Sequence, residues 1–148
     1  MYPSALLQAE RFTMYTVLLP LDDDLDRTKQ QAAYATSLPC AADEVEAILC
    51  HTLTDEERDA PEAMKRVDRV ETVRRAMEQL EDAGVSVETR ELSSPPAEGI
   101  LSMAEDEDVD EIVMGGRKRS PAEKAILGSI TQKVILNADI PVAVTGGS

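Results

Sequence analysis

Apolar residues along this chain fall into short unbroken runs and into longer stretches where they recur every three or four positions. Tyr15–Pro20 (YTVLLP) is a short run bounded by Asp22-Asp23-Asp24, the pattern of a buried strand. Ala32, Ala35 and Leu38 then follow a helical period, with Asp24 or Asp26 placed to cap the helix and Pro39 to end it. Val45–Thr52 (VEAILCHT) predicts a second buried strand. The clearest helix covers Thr54–Ala83, where Met64, Val67, Val70, Val73, Met77 and Leu80 form one apolar stripe and Gly84 supplies the stop. Val85–Leu92 (VSVETREL) alternates in type, as an edge strand exposed on one face does. Ser93-Ser94-Pro95-Pro96 reads as a turn and cap before a helix carrying Ile100, Leu101 and Ala104. Val109–Met114 predicts a fourth strand ended by Gly115-Gly116. Beyond a polar loop, Gly128–Asn137 reads as a helix and Pro141–Val144 as a short last strand.

Strands and helix-length spacers alternate five times. Parallel neighbours require such crossovers, so the expectation is an α/β fold: a five-stranded, parallel, doubly wound, Rossmann-like sheet with helices on both faces. The 148 residues suit one domain. Residues 14–148 are expected to form it, with 1–13 as a flexible N-terminal extension. Open sheets of this kind bind ligands beyond the carboxyl ends of their strands, where the winding direction reverses.

Composition narrows the picture. With no Trp and one Phe, the core must be aliphatic. Cys40 and Cys50 are the only cysteines and lack metal-ligand spacing, so a reduced, cytoplasmic setting is expected and a zinc site is not. No apolar run approaches the ~20 residues of a membrane span. Twenty-nine acids against 15 bases give a net charge of −14, which disfavours nucleic acid and anionic membranes as partners. Acids crowd even Glu105–Asp110, at a helix end where the macrodipole disfavours each by roughly 0.3–1 kcal/mol. They read as a solvated face, or as adaptation to a salty cytoplasm that screens the repulsion.

Against that background one segment reverses sign. Arg117, Lys118, Arg119 and Lys124 follow directly on Gly115-Gly116, and Gly128-Ser129 opens the next helix. Paired glycines let backbone N–H groups approach a ligand, and a helix start favours an anion. Ser129 and Thr131 add hydroxyls. The features suit a phosphate-sized anion, or simply a turn whose bases balance nearby acids. Neither GxxxxGK[ST] nor GxGxxG occurs. Asp22-Asp23-Asp24 offers carboxylates to Mg²⁺ or is an ordinary solvated loop. His51 has no visible catalytic partners, and no nucleophile–base arrangement suggests an enzyme.

MGGRKRSPAEKAILGSITQKVI, followed by ADIPVAV, resembles the carboxyl-terminal signature of the universal stress protein family. The family's nucleotide pattern is Gly, two residues, Gly, nine residues, then Gly and Ser or Thr. Gly115 takes its first place and Gly128-Ser129 its last two. LLPLD at Leu18–Asp22, AILCHT in the second strand and PAEGILSMAEDEDVDEIVMGG extend the resemblance over Met14–Val144. The pattern's second glycine is Lys118 here, whose Cβ would crowd a phosphate or whose ammonium would stand in for backbone contact.

The resemblance implies a non-catalytic, ATP-binding stress-response module, with Mg²⁺ possible beside the phosphates. Pro20 and Asp22 would hold the adenosine from the first strand, Thr52 from the second, and Met114 would lie beside the base. The phosphates would rest on Gly115, Gly116, Arg117, Lys118, Gly128 and Ser129, and Ile130 would also belong to the nucleotide site. Asp22 serves equally as acceptor for the base or ribose and as helix cap; Met114 serves equally as core. A scaffold of the same fold with no nucleotide is the alternative, and a weak nucleotide hydrolase a third. The resemblance also implies a homodimer paired through Pro141–Val144.

Overall fold

The computed structural model describes residues 14–51, 70–116 and 127–146. Expectations for residues 1–13, for Thr52, for the helix before Val70, and for Arg117, Lys118, Arg119 and Lys124 lie outside the described residues. The elements run β1 (Tyr15–Leu21), α1 (Leu25–Thr36), α2 (Ala41–Glu44), β2 (Val45–His51), α3 (Glu71–Asp82) and β3 (Ser86–Thr89). They continue with α4 (Pro96–Asp106), β4 (Glu111–Gly115), α5 (Ser129–Asn137) and β5 (Val142–Thr145). All strand pairs are parallel, in the order β3-β2-β1-β4-β5. The expected doubly wound sheet is the observed one.

Alternation along the strands builds two cores, one on each face of the sheet. Val17, Leu19, Val45, Ala47, Leu49 and Val113 pack with Ala32 and Ala35 of α1 and Val73, Ala76 and Leu80 of α3. Leu18, Ile48, Cys50, Ile112 and Met114 face the other way, onto Ala97, Ile100 and Ala104 of α4 and Val134 of α5. The aliphatic core expected from composition is thus two layers that share a sheet. Burial raises the Cys50 thiol to about 12, so it is inert packing.

The helix boundaries show their causes. Asp24 caps α1, its side chain accepting the Arg27 N–H at 2.9 Å. Gly84 (φ +81) ends α3: its N–H bonds to Glu81 and that of Val85 to Leu80. Asp108 (φ 54) takes the same left-handed role after α4, with Val109 N–H returning to the Ala104 carbonyl. That closure draws Val109 and Asp110 out of the fourth strand, which starts at Glu111 instead. The cap position of α4 is Pro95, inside the expected Ser93–Pro96 turn and cap, and it makes no side-chain bond. The third strand is shorter than its alternating pattern, and the short helix α2 had no periodic signal. β3 is a sheet edge, as its alternating pattern predicts, and β5 forms the other edge.

At the amino ends of the strands, Glu111 is 6% exposed and accepts two phenolic hydroxyls. Tyr15 donates to Oε1 at 2.9 Å and Tyr34 to Oε2 at 2.6 Å. Burial and then this bond push Tyr15 up to about 12; for Tyr34 the bond is the leading cause of a rise. Both rises favour the neutral phenol. The associated stability is complete below the ordinary value of 10.0 and is lost as pH climbs to about 12. Absorbance titration of the folded protein at alkaline pH should lose a component near pH 12 in Tyr15→Phe. Glu111→Gln should lower both midpoints, Tyr34 most. Midpoints indifferent to Glu111→Gln would contradict the assignment.

Candidate functional site

Winding proceeds from β1 to β2 and β3 in one direction and from β4 to β5 in the other, so it reverses between β1 and β4. Their ladder is short: Val17 pairs with Glu111 and Leu18 with Ile112, and pairing stops there. Carried forward, that register would set Pro20 opposite Met114, with the Val113 carbonyl facing a proline nitrogen that has no hydrogen. The Gln31 side chain fills the gap. Its Nε2 donates to the Pro20 carbonyl at 2.8 Å and to the Val113 carbonyl at 2.9 Å. Gln31 is 1% exposed, wedged between the two strands from above on α1.

Beyond this wedge lies a cavity of about 120 Å³. Pro20, Leu21 and Asp22 from the end of β1 line one side, Met114 and Gly115 from β4 another, and Gly128, Ser129, Ile130 and Thr131 of α5 the far wall. Arg27 and Gln31 close it from α1, and Ile100 from α4. Gly128 is the N-cap of α5, with extended backbone (φ −67, ψ 160) and no side-chain capping bond. The first intrahelical bond runs from Gln132 N–H to the Gly128 carbonyl at 3.0 Å. The amides of Ser129, Ile130 and Thr131 belong to a first turn that offers them no acceptor within the helix, the arrangement that favours an anion.

Seven expected site residues therefore meet around one cavity: Pro20, Asp22, Met114, Gly115, Gly128, Ser129 and Ile130. Thr52, Arg117 and Lys118 lie outside the described residues. Met114 keeps both of its readings, being 6% exposed in the core and on the cavity wall. Gly116 is a correction. It does not line the cavity, and its N–H is committed to the Thr145 carbonyl at 2.9 Å. A Cβ there would lie 2.3 Å from that same oxygen, so its glycine serves the β4–β5 seam. Gly115 is also small for a reason other than ligand approach. Its Cβ direction points at α1, where Gln31 Oε1 would be 3.0 Å away and the Arg27 stem 3.3 Å.

Asp22 is not the helix cap; Asp24 is. Asp22 Oδ1 accepts the Asp24 N–H at 2.9 Å, and Oδ2 accepts Arg27 Nε at 2.9 Å with Nη2 2.8 Å away. Its backbone carbonyl accepts the Thr72 hydroxyl at 2.7 Å, tying α3 to the same corner. Asp22 and Asp24 are thus engaged with Arg27 and backbone amides. Among the described residues no group of three or more His, Cys, Asp or Glu side chains is gathered to hold a metal ion. Likewise, no helix among them is long and apolar enough to cross a membrane. His51 is buried at 3% exposure, the packed strand-end residue the sequence allowed.

Arg27 and Gln31 were missed from sequence. The available signal was Gln31 on the buried stripe of α1, in register with Thr28, Ala32 and Ala35, where an apolar residue was due.

Comparison with known proteins agrees with this architecture. A model described as the universal stress protein family matches residues 14–146. Universal stress protein MJ0577 of Methanocaldococcus jannaschii is 33% identical over 104 residues, 70% of this chain and 57% of its own length. Universal stress protein MJ0531 of the same organism is 36% identical over 74 residues, 50% of this chain. The matches to these curated relatives span 44% and 57% of their lengths. Among solved structures, a universal stress protein from Archaeoglobus fulgidus superposes with a TM-score of 0.72 at 27% identity, over 90% of this chain and 99% of that one.

The two glycines ending β4 should respond differently to a methyl group. Gly116→Ala forces the Thr145 carbonyl to move and should cost about 1–3 kcal/mol in urea unfolding. Gly115→Ala presses only on the side chains of Arg27 and Gln31 and should cost less. Equal losses would mean that the β5 backbone yields as easily as a side chain.

Proposed function

The chain belongs to the universal stress protein family, and from that premise we propose that it is an adenine-nucleotide-binding regulatory module without catalytic chemistry. The observation that carries this reading is the uncapped first turn of α5, facing Gly115 and Met114 across the point where the sheet reverses. Related folds support it. An Archaeoglobus fulgidus universal stress protein was solved in complex with dAMP (TM-score 0.67, 22% identity) and another universal stress protein with cAMP (0.65, 17%). An Arabidopsis thaliana family member was solved with AMP bound (0.61, 11%). The cavity here, about 120 Å³, is below the roughly 300–1,000 Å³ of whole-ligand pockets. It suits a phosphate group, with the nucleoside extending along the cleft mouth. Mg²⁺ would arrive on the phosphates of ATP, since Asp22 and Asp24 already have partners.

The role this reading assigns is binding of ATP, ADP or AMP in the cytoplasm. The second reading is a scaffold of the same fold that takes no nucleotide. It is favoured by Lys118 at a motif glycine and by an Asp22 carboxylate held by Arg27.

Calorimetry and thermal melts separate the two readings. Nucleotide at 100 times its Kd should stabilise the fold by about 2.7 kcal/mol and raise its melting temperature accordingly. Absence of heat with AMP, ADP and ATP, at both low and high salt, would favour the scaffold.

Self-association belongs to the same proposal. β5 is an edge strand whose Val144 is 38% exposed, and α5 beside it shows Ile135 at 40% and Leu136 at 80%. Pairing Val142–Thr145 with its symmetry mate would satisfy the open edge and cover this apolar surface. Light scattering at micromolar concentration should give a dimer mass and Val144→Lys a monomer; a monomeric parent protein would refute the interface.

A further inference from the structure

Arg27 is the only cation lining the cavity among the described residues. Three features hold it there. Asp22 Oδ2 takes its Nε and Nη2, and Asp24 Oδ2 lies 3.5 Å from Nη1. Its stem crosses Gly115 where any side chain on that residue would press on it. A guanidinium carries five N–H donors in a rigid fork, and Asp22 occupies one edge of it. Arg27 lines the same small cavity as the first turn of α5, and its fork has more donors than Asp22 takes. Without the Arg27 side chain, the one charged side chain lining the cavity among the described residues would be the Asp22 carboxylate, which repels a phosphate.

We infer that Arg27 is the residue that recognises the ligand's phosphate group, gripping it against the amides of Ser129–Thr131. Asp22 is then a positioning residue that orients the guanidinium, rather than the acceptor for the base. For its ligand this rests on the nucleotide reading given above. The consequence is a site that selects by charge: a mononucleotide binds well and the matching nucleoside poorly. Arg27 comes from the helix after β1, so charge selection is separate from the glycine-bearing loop after β4.

The test is calorimetric titration of the parent protein and of Arg27→Met, Arg27→Lys, Asp22→Asn and the Arg27→Met/Asp22→Asn double variant. The probes are AMP, adenosine and pyrophosphate, with circular dichroism to check folding. The ratio of AMP to adenosine affinity should fall roughly tenfold or more in Arg27→Met, the loss expected for a charge-assisted contact. Arg27→Lys should keep part of it. Asp22→Asn should lower the ratio by a smaller factor, and should do nothing further once Arg27 is Met. An unchanged or raised ratio in Arg27→Met overturns the inference and leaves nucleotide binding intact. Equal weakening of AMP and adenosine in Asp22→Asn overturns the positioning role. A parent protein that takes neither AMP nor adenosine removes the nucleotide reading instead, and pyrophosphate then decides: binding lost in Arg27→Met upholds the clamp. Binding equal in both, or absent from both, overturns it. Should Arg27→Met not fold, Arg27→Lys and Asp22→Asn carry the same comparison.

Discussion

The cleft exists because one amide is shared between two strands that have stopped pairing. Pro20 removes the donor that the Val113 carbonyl would otherwise meet, and both carbonyls are buried. Gln31 Nε2 answers both at 2.8 and 2.9 Å. A buried carbonyl without a donor costs on the order of 1–3 kcal/mol, so without the amide the separation would be opposed twice over. With it, β1 and β4 part after Leu18 and Ile112 while the sheet stays continuous. Every residue of the candidate site stands at or beyond that parting.

The helix after β1 is therefore more than a cover for the sheet. Asp24 fixes its start, Arg27 stands one turn on and Gln31 one turn further, the last two lining the cavity. Asp22, just before the helix, closes the group by holding both the Asp24 amide and Arg27. Gly115 has to be small for Arg27 and Gln31 to lie where they do. A feature that reads as part of a phosphate loop thus acts first as clearance for side chains from the opposite wall. The two uses are compatible, because the side chains that need the clearance line the same cavity as Gly115.

The architecture was legible because it depends on patterns that one sequence carries. Apolar runs gave the buried strands β1, β2 and β4, and the stripe through Val73 and Leu80 gave α3. Gly84 marked its end for a conformational reason that the positive φ bears out. What stayed hidden depended on partners distant in sequence. Gln31 looks like an ordinary helix-face residue until Pro20 and Val113 are brought beside it, 11 and 82 positions away. Gly116 looked like a ligand contact because the Thr145 carbonyl that requires it is 29 residues off. The start of β4 was misplaced because Asp108 adopts the left-handed cap normally left to glycine. Composition alone gave no hint of that.

Charge ties these observations together. A molecule at −14 repels anions at long range, so any anion it binds must be held by contacts that act within a few ångströms. Helix-end amides supply partial charge only. A full cation inside the same small cavity changes the balance, provided that it does not leave for the surrounding carboxylates or swing into water. Asp22 and Asp24 could have neutralised Arg27 outright. Instead Asp22 takes the Nε–Nη2 edge of a five-donor fork and Asp24 stands 3.5 Å from Nη1, so their negative charge fixes the direction of a positive one. In so acidic a chain, that is how carboxylates beside a cleft can assist anion binding: by restricting the one cation that lines it among the described residues rather than by meeting the ligand themselves.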